Sequence, residues 1–307
     1  MPMPRDVDKS VMISLLLPTR GRPALVQRLF KSVAEMTARL DRIEVILYVD
    51  EDDVGSHHLD SRDFKVVRII GPRLSMGDYN SACLRRARGE AIVLANDDMV
   101  VRTPGWDNKV AAMHAGFPDG IYLAYPNDLF KNGRLATFPI LSRRCCEVLG
   151  DPYPSAYRGA FIDAHLFDLF KRLKHAGLDR IRYLDDVIFE HLHYRSGKAA
   201  YDETYRMRGR FADDFTFIAM AQARSDGAKR LLSVLRGEPI AAAEKANCVQ
   251  YVPAGIFSAV RYFGGRLLFD SELPFRWRGF LFYWYIGRYL AGRGLLGPFV
   301  RVGGPSS

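Results

Sequence analysis

The sequence predicts an α/β fold: a Rossmann-like, mainly parallel sheet with helices on both faces, plus a helical C-terminal extension. Three observations carry this expectation. Four apolar runs of strand length lie in the first hundred residues, Met12 to Leu17, Ile43 to Val49, Lys65 to Ile70 and Glu90 to Ala95. Helical patterns alternate with them, as the connections of parallel strands require. The chain also has 307 residues, enough for one large domain or two smaller ones whose core needs no disulfide staples.

Each element has a local reason. Pro23 opens a helix whose Leu25, Leu29, Val33 and Met36 recur at one-face spacing. Gly77 to Arg88 makes a second helix, and Trp106 to Ala115 a third, led in by Thr103 and Pro104. Gly120 to Tyr125 reads as a fifth strand. Beyond Pro126 short strands are expected at Ala136 to Leu141, Arg182 to Leu184 and Val187 to Glu190, around an amphipathic helix from Asp163 to His175. After about Asp226 comes a helical stretch, then a tail rich in Gly, Arg and aromatics.

Composition narrows the class. With 48% hydrophobic and 26% charged residues, disordered, collagen-like and coiled-coil chains are excluded. MPMPRDVDKS has no apolar core of a signal peptide, and the longest apolar stretch, between Arg278 and Arg288, is about half the roughly 20 residues of a membrane span. Integral membrane insertion is not expected. The four cysteines, Cys83, Cys145, Cys146 and Cys248, form no C-x-x-C pair, so reduced thiols in a cytoplasm-like compartment are expected. The net charge of +9 favours anionic partners such as nucleic acid, acidic lipid or phosphorylated small molecules.

Ligands of parallel sheets sit beyond the carboxyl ends of the strands, and the chemistry collects there. The first strand ends in Pro18-Thr19-Arg20-Gly21-Arg22-Pro23. A rigid turn, two arginines and a helix amino terminus suit a diphosphate, although a solvated basic loop has the same composition. The second strand ends in Asp50-Glu51-Asp52-Asp53, which can accept bonds from a base or ribose, hold a cation, or simply be solvated. The fourth ends in Asn96-Asp97-Asp98, hard oxygen ligands that suit Mg²⁺ or Mn²⁺.

Taken together, ISLLLPTRGRP (Ile13 to Pro23), LYVDEDD (Leu47 to Asp53) and NSACLRRARGEAIVLANDDM (Asn80 to Met99) resemble the family 2 glycosyltransferases of the GT-A fold. The order and spacing of a Pro-Thr turn, an Asp after the second strand, an Asn-led helix and an Asp-x-Asp-like motif all match. The resemblance implies a sugar moved from a nucleotide-sugar donor, a UDP-sugar first, to a hydroxyl of a glycan or lipid-linked acceptor, with inversion. It implies nucleotide contacts from Pro18, Thr19, Arg20, Arg22, Asp50, Arg73, Asn80, Asn96 and Asp97, and a divalent metal on Asp98. Asn96 stands where the family has the first Asp of its motif. Arg73 could equally be a surface residue.

The likeness continues more weakly. RGAFIDAHLFD (Arg158 to Asp168) resembles the segment that supplies the catalytic base, which makes Asp163 the candidate; its other reading is a helix cap. Asp168, further along, is expected on the solvated face. In YLDDVIFEHLHYRSGKAAYDETY (Tyr183 to Tyr205), His191 and His193 are expected on opposite sides of a strand, so that one, His193 first, completes the metal site. Lys198, Asp202 and Tyr205 are expected in a loop closing over the donor.

By this reading residues 1–225 form the catalytic domain, with a nucleotide-binding half (1–125) and an acceptor half (126–225), and residues 226–307 form the extension. From Tyr251 onward that extension holds seven arginines and two acids, which suits an anionic membrane surface, with a packed helix or a homodimer contact as the alternatives. The expected location is cytoplasmic, peripheral to the inner face of the membrane. Two other functions fit parts of the pattern. A nucleotidyltransferase would share the sheet and metal site but want a lysine-bearing phosphate loop. A catalytically inactive nucleotide or nucleic-acid binding protein is suggested by Asn96, although no recognised nucleic-acid motif is present.

Overall fold

The computed structural model describes residues 11–199, 209, 211–244 and 246–296. Its centre is an eight-stranded sheet in the order β3-β2-β1-β4-β7-β6-β8-β5. The strands are β1 (Ile13–Thr19), β2 (Ile43–Asp50), β3 (Lys65–Gly71), β4 (Ala91–Leu94), β5 (Met99–Val101), β6 (Leu123–Asn127), β7 (Ile140–Ser142) and β8 (Ile181–His191). The β1–β2, β1–β4, β2–β3 and β6–β8 pairings are parallel. Those of β4–β7, β6–β7 and β5–β8 are antiparallel. The sheet is therefore mainly parallel, as expected, and curls back through its antiparallel members.

Alternation along the strands explains why both faces are covered. Leu15, Leu17, Val45 and Leu47 point into one core, with Val26, Leu29 and Val33 of α1 (Pro23–Met36) and Trp106 and Val110 of α3 (Trp106–Ala115). Leu16, Ile46, Tyr48 and Ile92 point into the other. There they meet α2 (Met76–Arg86), α4 (Arg143–Leu149) and α5 (Ile162–His175). Each fully buried aliphatic side chain of α1 contributes about 1.5–3 kcal/mol.

The same second core continues without a break into α6 (Asp214–Ala219), α7 (Ala221–Arg236), α8 (Ile256–Phe263) and α9 (Phe275–Gly292). The expected boundary after residue 225 falls inside α7. No helix among the described residues is long and apolar enough to cross a membrane.

Several elements depart from expectation. Strands expected at Arg182 to Leu184 and Val187 to Glu190 are one strand, β8, because pairing with β6 carries it across Asp185 and Asp186 with a register shift at Pro126/Asn127. β5, too short to show a period, exists through antiparallel pairing with β8. The unexpected α4 begins where Ser142 caps it, its Oγ accepting from the Cys145 amide at 2.8 Å. Asp168, expected in solvent, is fully buried.

One close approach fixes how the halves of the sheet's cover meet. A Cβ at Gly77 would lie 2.0 Å from the Pro154 carbonyl oxygen, so only glycine lets α2 start against the chain leading to α5. The Met76 and Gly77 amides there donate to the carbonyls of Arg158 and Tyr157, both at 3.1 Å.

Candidate functional site

Thr19 ends β1, Asp50 ends the neighbouring β2, and Asn96 to Asp98 follow β4 on the other side of β1. Parallel pairing therefore delivers all three expected segments to one edge of the sheet. Asp97 is shared by the first turn: Thr19 Oγ1 donates to its Oδ2 at 2.9 Å, and Arg22 Nη1 donates to its Oδ1 at 2.9 Å. Burial pushes the Asp97 carboxyl above the usual range, Arg22 opposes that, and adjacent Asp98 adds to it.

The basic turn and the acidic turn are also zipped to each other. Arg20 Nη1 reaches the fully buried Asp50 at 2.7 Å, and its Nη2 reaches Asp52 at 2.7 Å. Bonds to Asp52 and Asp50 hold the guanidinium firmly protonated. The Gly21 amide, at a left-handed φ of 65°, donates to Asp53 Oδ2 at 2.7 Å. Both arginines expected to meet a diphosphate thus face carboxylates in this structure. Pro18 is half-buried beside them.

Tyr79 donates its hydroxyl to Asp50 Oδ1, whereas its expected neighbour Asn80 is buried and turned to its own helix, its Nδ2 donating to the Met76 carbonyl at 2.9 Å. Asn80 is therefore a structural residue of α2. Arg73 is exposed, close enough to Asp52 to help hold that carboxyl low, after the larger effect of Arg20. Asn96 is half-buried, and its carbonyl accepts from the Met99 amide at 3.1 Å.

The metal candidates meet through the β5–β8 pairing, which sets Met99 opposite His191. His191 Nε2 lies 3.2 Å from Asp98 Oδ2, both residues buried. The rings of Phe130 and Phe138 stand edge-on to the imidazole, and its buried Nδ1 has no hydrogen-bond partner among the described residues. His191 and His193 do not lie on opposite sides. Residues two apart share a face of a strand, and their ring centroids are 5.0 Å apart. It is His191 that reaches Asp98. His193 stacks on Phe130, and its Nδ1 accepts from the Arg195 amide at 3.1 Å.

A carboxylate and an imidazole converging at this distance fit a divalent ion such as Mn²⁺, which accepts both donor types. Among the described residues no group of three His, Cys, Asp or Glu side chains gathers in one place. An ion held here would take two donors from these side chains, Asp98 and His191.

Asp163 is the second residue of α5; the cap position belongs to Phe161, which has a left-handed φ of 70°. Asp163 is therefore not the N-cap residue, although its carboxylate still serves an amide of the first turn. Its Oδ1 accepts from the Ala164 amide at 2.8 Å, and the side chain is half-buried. The approach to α5 is held by buried Asp213, which accepts from the amides of Arg158, Gly159 and Ala160 at 3.0, 2.8 and 2.7 Å. Phe161 stays in its unfavourable conformation because its ring packs on Phe217, Trp284 and Tyr285 of the C-terminal helices.

Asp168 belongs to a buried network that joins α5 to those helices. Arg224 Nε donates to its Oδ2 at 2.7 Å and Trp277 Nε1 to its Oδ1 at 2.8 Å. Arg172 joins it at 3.4 Å and binds Asp270 and Glu272 at 2.6 and 2.8 Å.

Another positioning residue escaped sequence reasoning. Asp128, almost fully buried, accepts at Oδ1 from the amides of Phe130, Lys131 and Asn132 at 3.0, 2.7 and 2.8 Å. It so builds the turn that sets Phe130 against both histidines and Lys131 over the Phe130 ring at 4.4 Å. Burial pushes the Lys131 ammonium down, with Arg195 next, while Asp128 and Asp163 oppose it. Lys131 therefore shares its surroundings with the candidate base. The Asn-Asp…Asn-Gly composition of residues 127–133 is a turn signal that could have drawn attention to it. Of the expected closing loop, Lys198 pairs with Glu190 at 2.7 Å, and Asp202 and Tyr205 lie outside the described residues.

Neither family models nor curated protein sequences give a match to this chain. Solved structures do. The chain is similar to Staphylococcus aureus TarS 1–349, with a TM-score of 0.50 at 13% identity over 95% of this chain and 93% of that one. It is also matched to the mannosyltransferase PcManGT from Pyrobaculum calidifontis in complex with GDP-Man and Mn²⁺ (TM-score 0.47, 14% identity, 95% and 88% covered). A third match is glucosyl-3-phosphoglycerate synthase from Mycobacterium tuberculosis (TM-score 0.43, 15% identity, 75% and 81% covered). The TarS likeness and the strand order show the fold, which is the GT-A fold.

Proposed function

We propose that the chain is a metal-dependent, inverting glycosyltransferase that moves a hexosyl group from a nucleotide-sugar donor to an acceptor hydroxyl in glycan or polysaccharide biosynthesis. The observation that carries this is the convergence of Asp98 with His191 beside Thr19 and Asp50, at the carboxyl edge of a GT-A sheet. TarS has been solved in complex with UDP-GlcNAc, and a UDP-sugar is the first donor to test here.

In this reading Asp98 and His191 hold Mn²⁺ or Mg²⁺, which supplies positive charge to the leaving diphosphate. Asp50, held by Arg20 and Tyr79, presents a carboxylate to the nucleoside. Thr19 and Arg22 keep Asp97 fixed, so the first turn keeps its shape when the donor arrives; preorganisation of this kind costs nothing at the moment of reaction. Arg73 and Asn96 lie on the donor rim. Asp163 accepts the proton of the acceptor hydroxyl as that oxygen attacks the anomeric carbon and the bond to the diphosphate breaks. Residues 1–125 serve the donor and residues 126–225 the acceptor, with the C-terminal helices bracing the second group.

The test is thermal stability against nucleoside diphosphates and nucleotide sugars with and without Mn²⁺, followed by product analysis with the donor that binds. Ligands that bind only the folded state raise the midpoint by mass action. A metal-dependent shift with one nucleotide supports the reading. No shift with any nucleotide would leave an inactive GT-A protein as the better description.

A further inference from the structure

Of the seven arginines from Tyr251 onward, Arg301 lies outside the described residues, and the other six divide into two kinds. Arg278 donates to the Leu273 carbonyl, Arg288 pairs with Asp214 at 2.6 Å, and Arg293 donates to the carbonyls of Pro253 and Ala254. These three belong to the fold. Arg261, Arg266 and Arg276 are exposed and have no carboxylate partner among the described residues. The tail's two acids, Asp270 and Glu272, are both engaged by Arg172.

Large apolar side chains stand in water around the uncommitted arginines. Phe257 is 88% exposed, Phe269 and Phe275 80%, and Tyr283 76%. Phe257, Arg261, Gly265 and Phe269 follow one another at four-residue steps along α8 and the π-turn after it (Gly264–Leu268), which puts them along one side. Tyr251, Phe257, Arg261 and Arg266 line one open groove. The opposite side of α8 supplies buried Ala259 and Phe263 to the core, so the exposed stripe is not a misplaced core face.

We propose that this face docks on an anionic lipid bilayer, with Phe257 and Phe269 entering the interface and Arg261 and Arg266 meeting lipid phosphates. Aromatic side chains interleaved with cations are what such an interface binds. A second copy of the chain is the poorer occupant. A twofold contact through this face would bring arginines against arginines, and the tail's carboxylates are already held by Arg172.

Co-sedimentation of the full chain with vesicles tests this without any nucleotide, so its outcome is independent of the transferase reading. Binding is expected to vesicles of phosphatidylcholine with about a third phosphatidylglycerol, and not to phosphatidylcholine alone. Arg261→Gln with Arg266→Gln should lower the partition coefficient by about 30-fold. Phe257→Ser with Phe269→Ser should also weaken binding, and both variants should keep the thermal midpoint because these side chains are exposed. Absence of binding to the anionic vesicles overturns the proposal. So does binding that the variants leave unchanged, or a dimer in sedimentation that Phe257→Ser dissolves.

Discussion

Asp98 Oδ2 and His191 Nε2 lie 3.2 Å apart although 93 residues separate them in sequence. The short β5–β8 pairing is what brings them together, and the rings of Phe130 and Phe138 keep the imidazole from turning away. If the two hold the metal as proposed, removing either side chain would leave one protein ligand. Asp98→Ala and His191→Ala should each abolish the Mn²⁺-dependent part of the nucleotide-induced thermal shift, read by calorimetry. A shift that stayed full-sized in either variant would take that residue out of the metal site.

Asp163→Asn keeps the shape of the side chain and its place in the first turn of α5. Donor binding should be unchanged and transfer should fall by about 10²- to 10⁴-fold, the usual worth of a general base. Titration calorimetry and single-turnover product analysis separate the two effects. Near-normal transfer would mean that another group takes the proton.

Asp168→Ala strips the acceptor from Arg224 and Trp277 and leaves the buried Arg224 guanidinium without its carboxylate, while Arg172 keeps Asp270 and Glu272. Breaking a buried pair in this way costs about 3–5 kcal/mol. Urea denaturation should show that loss, and a change under 1 kcal/mol would contradict the network's importance. The bonds described for Asp168 go to Arg172, Arg224 and Trp277 and to no residue of the donor edge, so nucleotide affinity of the folded fraction should stay as it was.

Gly77→Ala forces a methyl group to within 2.0 Å of the Pro154 carbonyl oxygen. The start of α2 must then move off the chain that leads to α5. A loss of about 1–3 kcal/mol is expected, seen as a lower midpoint on heating. Gly177→Ala, where open space surrounds the position but φ is +90°, separates backbone strain from collision.

His165 supplies a pH dependence with a definite sign. Burial, then Arg224 and Arg172, hold its imidazole well below the usual 6.5. Unfolded His165 takes up a proton below pH 6.5 while the folded chain does not, so stability is full above that pH and falls as pH drops. The contribution approaches about 1.4 kcal/mol per pH unit. Midpoints measured from pH 8 to pH 5 should fall less steeply in His165→Asn than in the parent chain; parallel slopes would assign the effect to other groups.

Much of this could be read along the chain. β1 and β2 announced themselves because strands covered on both faces are continuous apolar runs, and the polar clusters after Thr19, Asp50 and Leu94 stood out against them. What stayed hidden depends on partners far away in sequence. Asp168 reads as a solvated helix residue until Arg224 and Trp277 arrive from 56 and 109 positions further on. Asp213 and Asp128 look like ordinary surface acids, and only the folded backbone shows which amides they hold. The choice between His191 and His193 turned on where β8 stops, a boundary that local composition does not mark.

Phe161 ties these observations to how the chain could be altered. Its left-handed backbone lies two residues before Asp163 and is held there by aromatic rings that residues 284 and 285 contribute from α9. Shortening the chain at residue 225 would cut α7 in two and remove those rings, letting Phe161 relax to an ordinary conformation. The donor edge would survive such surgery better than the base would. Engineering of the C-terminal helices should therefore be scored by turnover first, because affinity for nucleotide would report the change last.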